Sequence, residues 1–221
     1  MEGKYETLTY GTAAPSSSRR EDHVASPGKW RDWASLPRDV LYVVLSKLPQ
    51  TEILGAAVLV CSPWRRLALE EHLLWRRIDL RLWDEKERHP DGWKAMALAA
   101  LERSAGRCES FKGHVDADVL VHLANRAPLL RKLNVTGWPY IKDKKLVRDI
   151  IKKLPLLERL VLSDGRFQEE LLLALLDYCP RLELLDLTDS WPTFRVWEEP
   201  INTTIQNCNI KYLCMPLEVL D

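Results

Sequence analysis

The chain of 221 residues is long enough for one or two domains, and its 46% hydrophobic content suffices for a sizeable core. Its 32 basic residues balance its 32 acidic ones, which gives no support for a nucleic-acid-binding or membrane-binding surface. The longest apolar run, residues 53–61, is too short to span a bilayer, and the N-terminus lacks an apolar signal core. We therefore expect partners that are neither nucleic acids nor membranes.

Residues 1–29 are polar and small, and Gly, Pro and Ser punctuate them. This composition predicts a disordered arm.

Three short helices are predicted between Trp33 and Leu80. Pro37 suits the first turn of the first helix, Thr51 is expected to cap a second helix over 52–59, and Ser62-Pro63 to start a third. The apolar residues of the first helix fall on more than one of its sides. A helix that is apolar nearly all round must be buried on several sides, which so small a bundle cannot achieve alone. A partner is therefore expected to cover the remaining apolar surface.

The same stretch contains four ordered elements: Leu36-Pro37-x-Asp39-Val40, the Leu45-x-x-Leu48 pair, Val60-Cys61-x-x-Trp64-Arg65-x-Leu67-Ala68 and Leu74-Trp75-Arg76-x-Ile78-Asp79-Leu80. With these elements at these spacings, the stretch resembles the F-box family. The resemblance implies docking on a Skp-type adaptor and, through it, on cullin and RING subunits of a ubiquitin ligase. The residues predicted to bind the adaptor are Leu36, Pro37, Val40, Leu45, Leu48, Ile53, Leu54, Val60 and Trp64, although some of them must serve the bundle's own core.

A charged stretch and one helix connect this region to the C-terminal half of the chain. The helix is predicted from about Trp93 to Ser104, and Gly106 is expected to end it.

The rest of the chain repeats. Three segments share one template: Pro128-x-Leu130-x-x-Leu133-x-Val135, Pro155-x-Leu157-x-x-Leu160-x-Leu162 and Pro180-x-Leu182-x-x-Leu185-x-Leu187. Weaker copies around Phe111 and Leu213 flank them. The period of roughly 20–29 residues is that of leucine-rich repeats. Helices are predicted between the strands, over 116–126, 143–154, 167–178 and 200–206.

These elements predict an α plus α/β architecture, in which a three-helix F-box precedes a short curved solenoid with parallel strands on its concave side and helices on its convex side. The predicted boundaries are a disordered arm at 1–29, the F-box at 30–80, a linker helix at 81–106 and four or five leucine-rich repeats at 107–221. No polar capping repeat follows the last template, so the C-terminal end is expected to fray, as in a truncated variant. The overall resemblance is to plant F-box/leucine-rich-repeat proteins of the Skp-interacting class.

The residues beside each buried strand position are predicted to face a protein substrate. They are Lys112, Lys132, Asn134, Arg159, Val161, Leu184, Asp186 and Tyr212, with Ser110 and Cys214 at the ends. Trp138 and Trp191 lie near the rim of this strip. The neighbouring prolines favour packed turns for both, although an interface role for them stays open.

Catalytic and metal-binding interpretations find little support. His114, Asp116, Asp118 and His122 could form a metal cluster, but Asp116 more simply caps a helix. No phosphate-binding loop or hydrolase motif is present, so no cofactor is expected.

The five cysteines are scattered and form no CxxC pair, which favours a reducing compartment, the cytoplasm and/or the nucleus. Cys108 and Cys179 hold repeat positions that need a small buried residue, and we predict that they belong to the core.

The function that these patterns and the resemblance indicate is substrate recognition within an SCF-type (Skp–cullin–F-box) ubiquitin ligase. The alternative is a repeat scaffold or decoy that binds the adaptor without recruiting a protein for degradation.

Overall fold

The computed structural model describes residues 32–81, 92–193 and 210–214. The predicted arm at 1–29, the charged stretch 84–91 and the helix over 200–206 lie outside the described residues. From Ala34 onward the described residues belong to one compact unit.

The N-terminal region consists of short helical pieces. A 3-10 turn at Trp33–Ser35 precedes α1, Arg38–Leu45. The second helical segment comprises α2 (Gln50–Glu52), a π-helical turn at Ile53–Ala57 and α3 (Val58–Val60). It is followed by α4, Ser62–Glu70, and by a 3-10 turn at His72–Trp75.

The three predicted helices are present, but their starting residues are corrected. Pro37 is the N-cap of α1, and Pro49 is the N-cap of α2, so Thr51 lies inside its helix and caps nothing. Cys61 precedes α4, in which Ser62 is already helical. Proline is accommodated at the start of a helix because the backbone N–H that it lacks would have no partner within the helix there.

The remaining described elements alternate strands with helices: β1 (Arg77–Asp79), α5 (Trp93–Arg103), β2 (Ser110–His114), α6 (Ala117–Arg126), β3 (Lys132–Thr136), α7 (Lys144–Ile151), β4 (Arg159–Phe167), α8 (Glu169–Tyr178), β5 (Leu184–Pro192) and β6 (Tyr212–Cys214). Helix α5 ends with Ser104 as its C-cap, and Gly106, at φ 80°, follows two residues later. The predicted helices over 116–126, 143–154 and 167–178 correspond to α6, α7 and α8, each slightly shorter than expected.

The described strands form one sheet of six parallel strands in the order of the sequence, β1 to β6. The second leucine of each template and its counterparts in the two weaker copies are register partners from β2 to β6: Phe111, Leu133, Leu160, Leu185 and Leu213. The alignment of the repeats made from sequence is confirmed. Neighbouring parallel strands need a crossover connection, and helices α5 to α8 supply it from β1 to β5. The architecture is therefore a parallel sheet with helices between its strands.

One strand was not predicted. Residues Arg77–Asp79, assigned from sequence to the tail of the F-box, form β1 and pair with β2, with Ile78 opposite Phe111. The N-terminal helical region therefore leads directly into the sheet. One continuous core contains Leu45 and Trp75 from the N-terminal region together with Phe111, Leu133 and Leu160 from the strands.

None of the helices in the described ranges is long and apolar enough to cross a membrane.

Candidate interaction surfaces

Helix α1 has two apolar faces. Leu41 and Leu45, one helical turn apart, are buried in the core. Val40 and Val43 are 43% and 55% exposed, and the half-buried Leu36 lies four residues before Val40. Because residues three and four apart share a helix face, Val40 and Val43 form one uncovered apolar face.

A second apolar surface lies on α3. Leu59 is 79% exposed and Val60 is also exposed, whereas Ile53, in the preceding π-helical turn, is buried. Among the described residues, seven of the eleven exposed large hydrophobic side chains lie between Trp33 and Leu73. The uncovered apolar surface is therefore concentrated in the N-terminal helices, and this is what an interaction site requires.

The structure distributes the predicted adaptor-binding residues over three environments. Pro37, Val40 and Val60 are exposed; Leu36, Leu48, Leu54 and Trp64 are half-buried; Leu45 and Ile53 are enclosed in the core. Leu45 and Ile53 therefore support the bundle from within. The prediction from sequence omitted five exposed apolar residues of the same region: Trp33, Val43, Leu59, Leu69 and Leu73. A helical wheel would have found Val43, since it shares a face with Val40.

Charged and aromatic contacts hold these helices in place. Arg38 of α1 pairs with Glu70 of α4 at 3.1 Å, an exposed ion pair that contributes little by itself. The indole Nε1–H of Trp75, a fully buried residue, donates to the carbonyl of Ala68 at 2.9 Å. The Arg103 guanidinium of α5 lies 5.2 Å from the Trp75 ring centroid, and burial, together with the nearby Arg65, lowers its pKa. Trp75 therefore joins α4 to the helix that precedes the repeats.

On the sheet, the predicted substrate-facing residues form two rows in register. The first row contains Lys132, Arg159, Leu184 and Tyr212, which we name the mixed row, and it continues through Ser110 to Arg77. Ser110 is buried, so the prediction that it faces a substrate is wrong. The second row contains Lys112, Asn134, Val161, Asp186 and Cys214. Alternate residues of a strand point to opposite faces, so both rows face away from the buried leucines.

The two rows differ in whether their cations have an acidic partner. In the second row the Lys112 ammonium lies 3.8 Å from Asp79. Asp186 of the same row accepts hydrogen bonds from the backbone and hydroxyl of Thr188. In the mixed row Lys132 and Arg159 are exposed and adjacent.

The two tryptophans near the rim have opposite environments. Trp138 is 3% exposed, as the packed-turn interpretation predicted, because Gly165 of the next strand lies directly against it. Trp191 is 70% exposed, and the packed-turn interpretation is wrong for it. Its register partner, Arg166, is also exposed, so Trp191 stays an interface candidate.

The acids considered for a metal site are engaged elsewhere. Asp116 accepts a hydrogen bond from Val119 N–H at 2.8 Å as the N-cap of α6, and it pairs with Lys94 at 2.8 Å. Asp118 also pairs with Lys94, and His122 lies 3.1 Å from Glu102. Within the described ranges no group of three or more His, Cys, Asp and Glu residues is arranged to hold a metal ion.

Two thiols are enclosed by the repeats. Burial raises the pKa of Cys108 to about 12 and that of Cys179 to about 12, so that both are protonated thiols at neutral pH. A nucleophilic cysteine needs a thiolate, which these surroundings disfavour.

The region that carries both uncovered apolar faces matches a known family. Residues 33–81 match the family model described as F-box-like. These residues form an F-box-like domain. The chain is also similar to F-box/LRR-repeat proteins of Arabidopsis thaliana over most of its length. It is 30% identical to F-box/LRR-repeat protein 22 over 83% of this chain and 60% of that relative. It is 30% identical to F-box/LRR-repeat protein 23 over 72% of this chain and 35% of that relative.

A third similar protein is the Arabidopsis F-box protein SKIP19, 30% identical over 72% of this chain and 53% of that relative. This chain therefore spans between a third and three fifths of the length of these relatives.

Proposed function

We propose that this chain is the substrate-recognition subunit of an SCF-type ubiquitin ligase. In this proposal the N-terminal helices bind a Skp-type adaptor, and the repeats bind the protein to be ubiquitinated. The observation that carries the proposal is the uncovered apolar face of α1, formed by Val40 and Val43 opposite the buried Leu41 and Leu45. An apolar face of this kind, inside a matched F-box-like region, is what an adaptor would cover.

The proposed mechanism needs no chemistry from this chain. Transfer of ubiquitin would occur on subunits that the adaptor recruits, and this chain would hold a substrate lysine near the charged enzyme and raise its effective concentration. The direct passage from the F-box into β1 supports such a role, because β1 pairs with β2 and ties the docking helices to the repeat sheet. A substrate held on the sheet would then keep a fixed orientation relative to the adaptor.

The curved solenoid belongs to the same proposal. Its support is the continuous register from Phe111 through Leu133, Leu160 and Leu185 to Leu213. Helices α6, α7 and α8 lie between successive strands from β2 to β5. Stacked repeats of one strand and one helix produce a curved array when the helices are wider than the strands. We also propose the cytoplasm and/or nucleus as the location, which the free thiols of Cys61, Cys108, Cys179 and Cys214 support.

Adaptor binding is tested with substitutions on exposed positions, which leave the core intact. The double variant Val40→Asp/Val43→Asp should weaken binding to a purified Skp-type adaptor by about 2 kcal/mol or more, roughly thirtyfold in Kd. Leu129→Asp is the matched control, because Leu129 is exposed to the same 43% as Val40 but lies among the repeats. Unchanged affinity of the double variant in a calorimetric titration would remove the docking assignment.

Substrate recruitment is tested by mass spectrometry of the proteins that co-purify under proteasome inhibition. The proposal expects adaptor, cullin and at least one further protein whose level rises when this chain is depleted. Recovery of the adaptor alone would favour the scaffold or decoy function instead.

A further inference from the structure

The mixed row brings two like charges together. Lys132 and Arg159 are register partners on β3 and β4, so their backbones lie about 4.8 Å apart. Both side chains are exposed, and among the described residues neither one forms an ion pair within 4.0 Å. Like charges directly opposite each other on neighbouring strands are destabilising.

The residues one position earlier show that the sheet can neutralise its charges. Three ion pairs join neighbouring strands there: Arg76 with Glu109 at 2.8 Å, Arg131 with Glu158 at 3.0 Å and Lys211 with Glu183 at 2.8 Å. The hydrogen bond and the charge of Lys211 lower the pKa of Glu183 most, and the charge of Arg159 lowers it least. Every acid of that row already has a cation as its partner. Lys132 and Arg159 are therefore a local excess of positive charge.

The same row continues into apolar side chains. Leu184 is half-buried and Tyr212 is exposed, and they are the next two register partners after Arg159. Tyr212 therefore lies about 10 Å from Arg159 along the row, which an extended peptide spans in about three residues. The row thus presents two cations at one end and two apolar side chains at the other.

We infer that the mixed row binds an extended protein segment in which one or two carboxylates lie about three residues from a Leu, Tyr or similar apolar side chain. This inference rests on the proposed function, because it names the chemistry of the substrate that the repeats would hold. The carboxylates lie over Lys132 and Arg159, and the apolar residue lies against Leu184 and Tyr212. Charge complementarity selects this occupant, because the mixed row contains two cations and no acid. In the part of the chain that the structure describes, Asp186, the acid of the neighbouring second row, forms no ion pair within 4.0 Å with either cation and accepts hydrogen bonds from Thr188 instead.

The probe is a short fluorescein-labelled peptide with the sequence Asp-Glu-Ser-Ser-Leu-Tyr. A second labelled peptide has the same sequence reversed, because the direction in which a segment would lie along the row is not fixed. We expect the full chain, bound to its adaptor, to bind one of the two peptides in an anisotropy titration, more weakly at high salt. Lys132→Gln/Arg159→Gln should lower the affinity about tenfold or more. Lys145→Gln/Arg181→Gln is the matched control, since both of its residues are exposed and it removes the same charges elsewhere.

A stability measurement separates a binding role from a structural one. The Lys132→Gln/Arg159→Gln variant should unfold at the same or a higher temperature than the parent protein, because it removes a repulsion. A clear fall in Tm would overturn the inference.

Three binding results would also overturn it: equal binding of a peptide with Asn-Gln in place of Asp-Glu, binding only of a peptide with phosphoserine there, or no binding of either acidic peptide. The proposed function is judged separately, because adaptor binding of the Lys132→Gln/Arg159→Gln variant should be unchanged.

Discussion

The side chain of Gln50 accepts a hydrogen bond from the backbone N–H of Asp79 at 3.2 Å, so that the second F-box helical segment holds the first strand of the sheet. Its Nε2 also donates to the carbonyl of Leu74, at 3.4 Å. The side-chain amide of Gln50 therefore hydrogen-bonds to one backbone group before Trp75 and to one after it. The F-box-like helices and the repeats belong to one compact unit, and this amide is one of the contacts between them.

Gln50→Ala should lower the free energy of unfolding by about 1–2 kcal/mol, because each lost hydrogen bond to a partly buried group costs about 1 kcal/mol. Urea unfolding followed by circular dichroism measures the change. Lys47→Ala, at a nearby exposed position, should change it by less than about 0.5 kcal/mol. Equal stability of the two variants would contradict the role given to Gln50.

Gly165 is required by the packing of Trp138. A Cβ atom at Gly165 would lie 2.6 Å from the Cβ of Trp138, a separation that real side chains avoid. Gly165→Ala should therefore destabilise the protein by about 1–3 kcal/mol through overpacking. Gly55→Ala is the control, because nothing lies within 4 Å of the atom added in that helical turn, and it should be neutral or stabilising. Thermal unfolding of both variants checks the difference, and a loss of stability only in the Gly55 variant would refute it.

The strand register could be predicted from sequence because a period of two residues separates the two faces of a strand. A shift of one residue would expose Leu133, Leu160 and Leu185 together, so only one alignment of the templates buries them. The helices between the strands could be predicted from the spacing of their apolar residues. In the structure Asp116 and Asp143, the first residues of two predicted helices, are the N-caps of α6 and α7.

Other features could not be predicted because the local pattern was ambiguous. In α1, Val40, Leu41, Val43 and Leu45 are all apolar, and sequence alone does not say which face meets the core. Trp138 and Trp191 are each followed by proline, yet one is buried and the other is exposed, since the difference comes from the neighbouring strand. Strand β1 was missed because Trp75-x-x-Ile78-x-Leu80, which has the spacing of the repeat template, was assigned to the F-box match. Strand β6 is equally short and was found through that spacing.

The cysteines should differ sharply in reactivity. Iodoacetamide at neutral pH should label the exposed Cys214 and the half-buried Cys61 in the folded protein, whereas Cys108 and Cys179 should react only after unfolding. Their burial raises the pKa of each of these two thiols to about 12, so that both are protonated and shielded. Peptide mass spectrometry after timed labelling measures each site. Labelling of Cys108 in the native protein as fast as that of Cys214 would contradict its place in the core.

The cap of α6 should contribute measurably to stability. Asp116→Ala removes the acceptor for Val119 N–H and should cost about 1 kcal/mol in urea unfolding. Asp118→Ala, which loses a contact to the same Lys94 but no cap, should cost less than about 0.5 kcal/mol. A larger effect at Asp118 would show that the ion pair, and not the cap, holds this end of the helix.

Asp116 should also make stability depend on pH. Burial alone would raise the pKa of Asp116, but the hydrogen bonds from Lys94 and the Val119 N–H outweigh it and lower this pKa below its usual value. A carboxyl whose pKa is lower in the folded state stabilises the protein fully above its unfolded value, about 3.9, and this contribution is lost as pH falls through the folded pKa. Asp116→Asn keeps a capping oxygen but cannot ionise. The difference in unfolding free energy between parent and variant should therefore be present at pH 7 and shrink below about pH 4, over the range in which both remain folded. A difference that grows as the solution becomes more acidic would reverse the sign and exclude this account of Asp116.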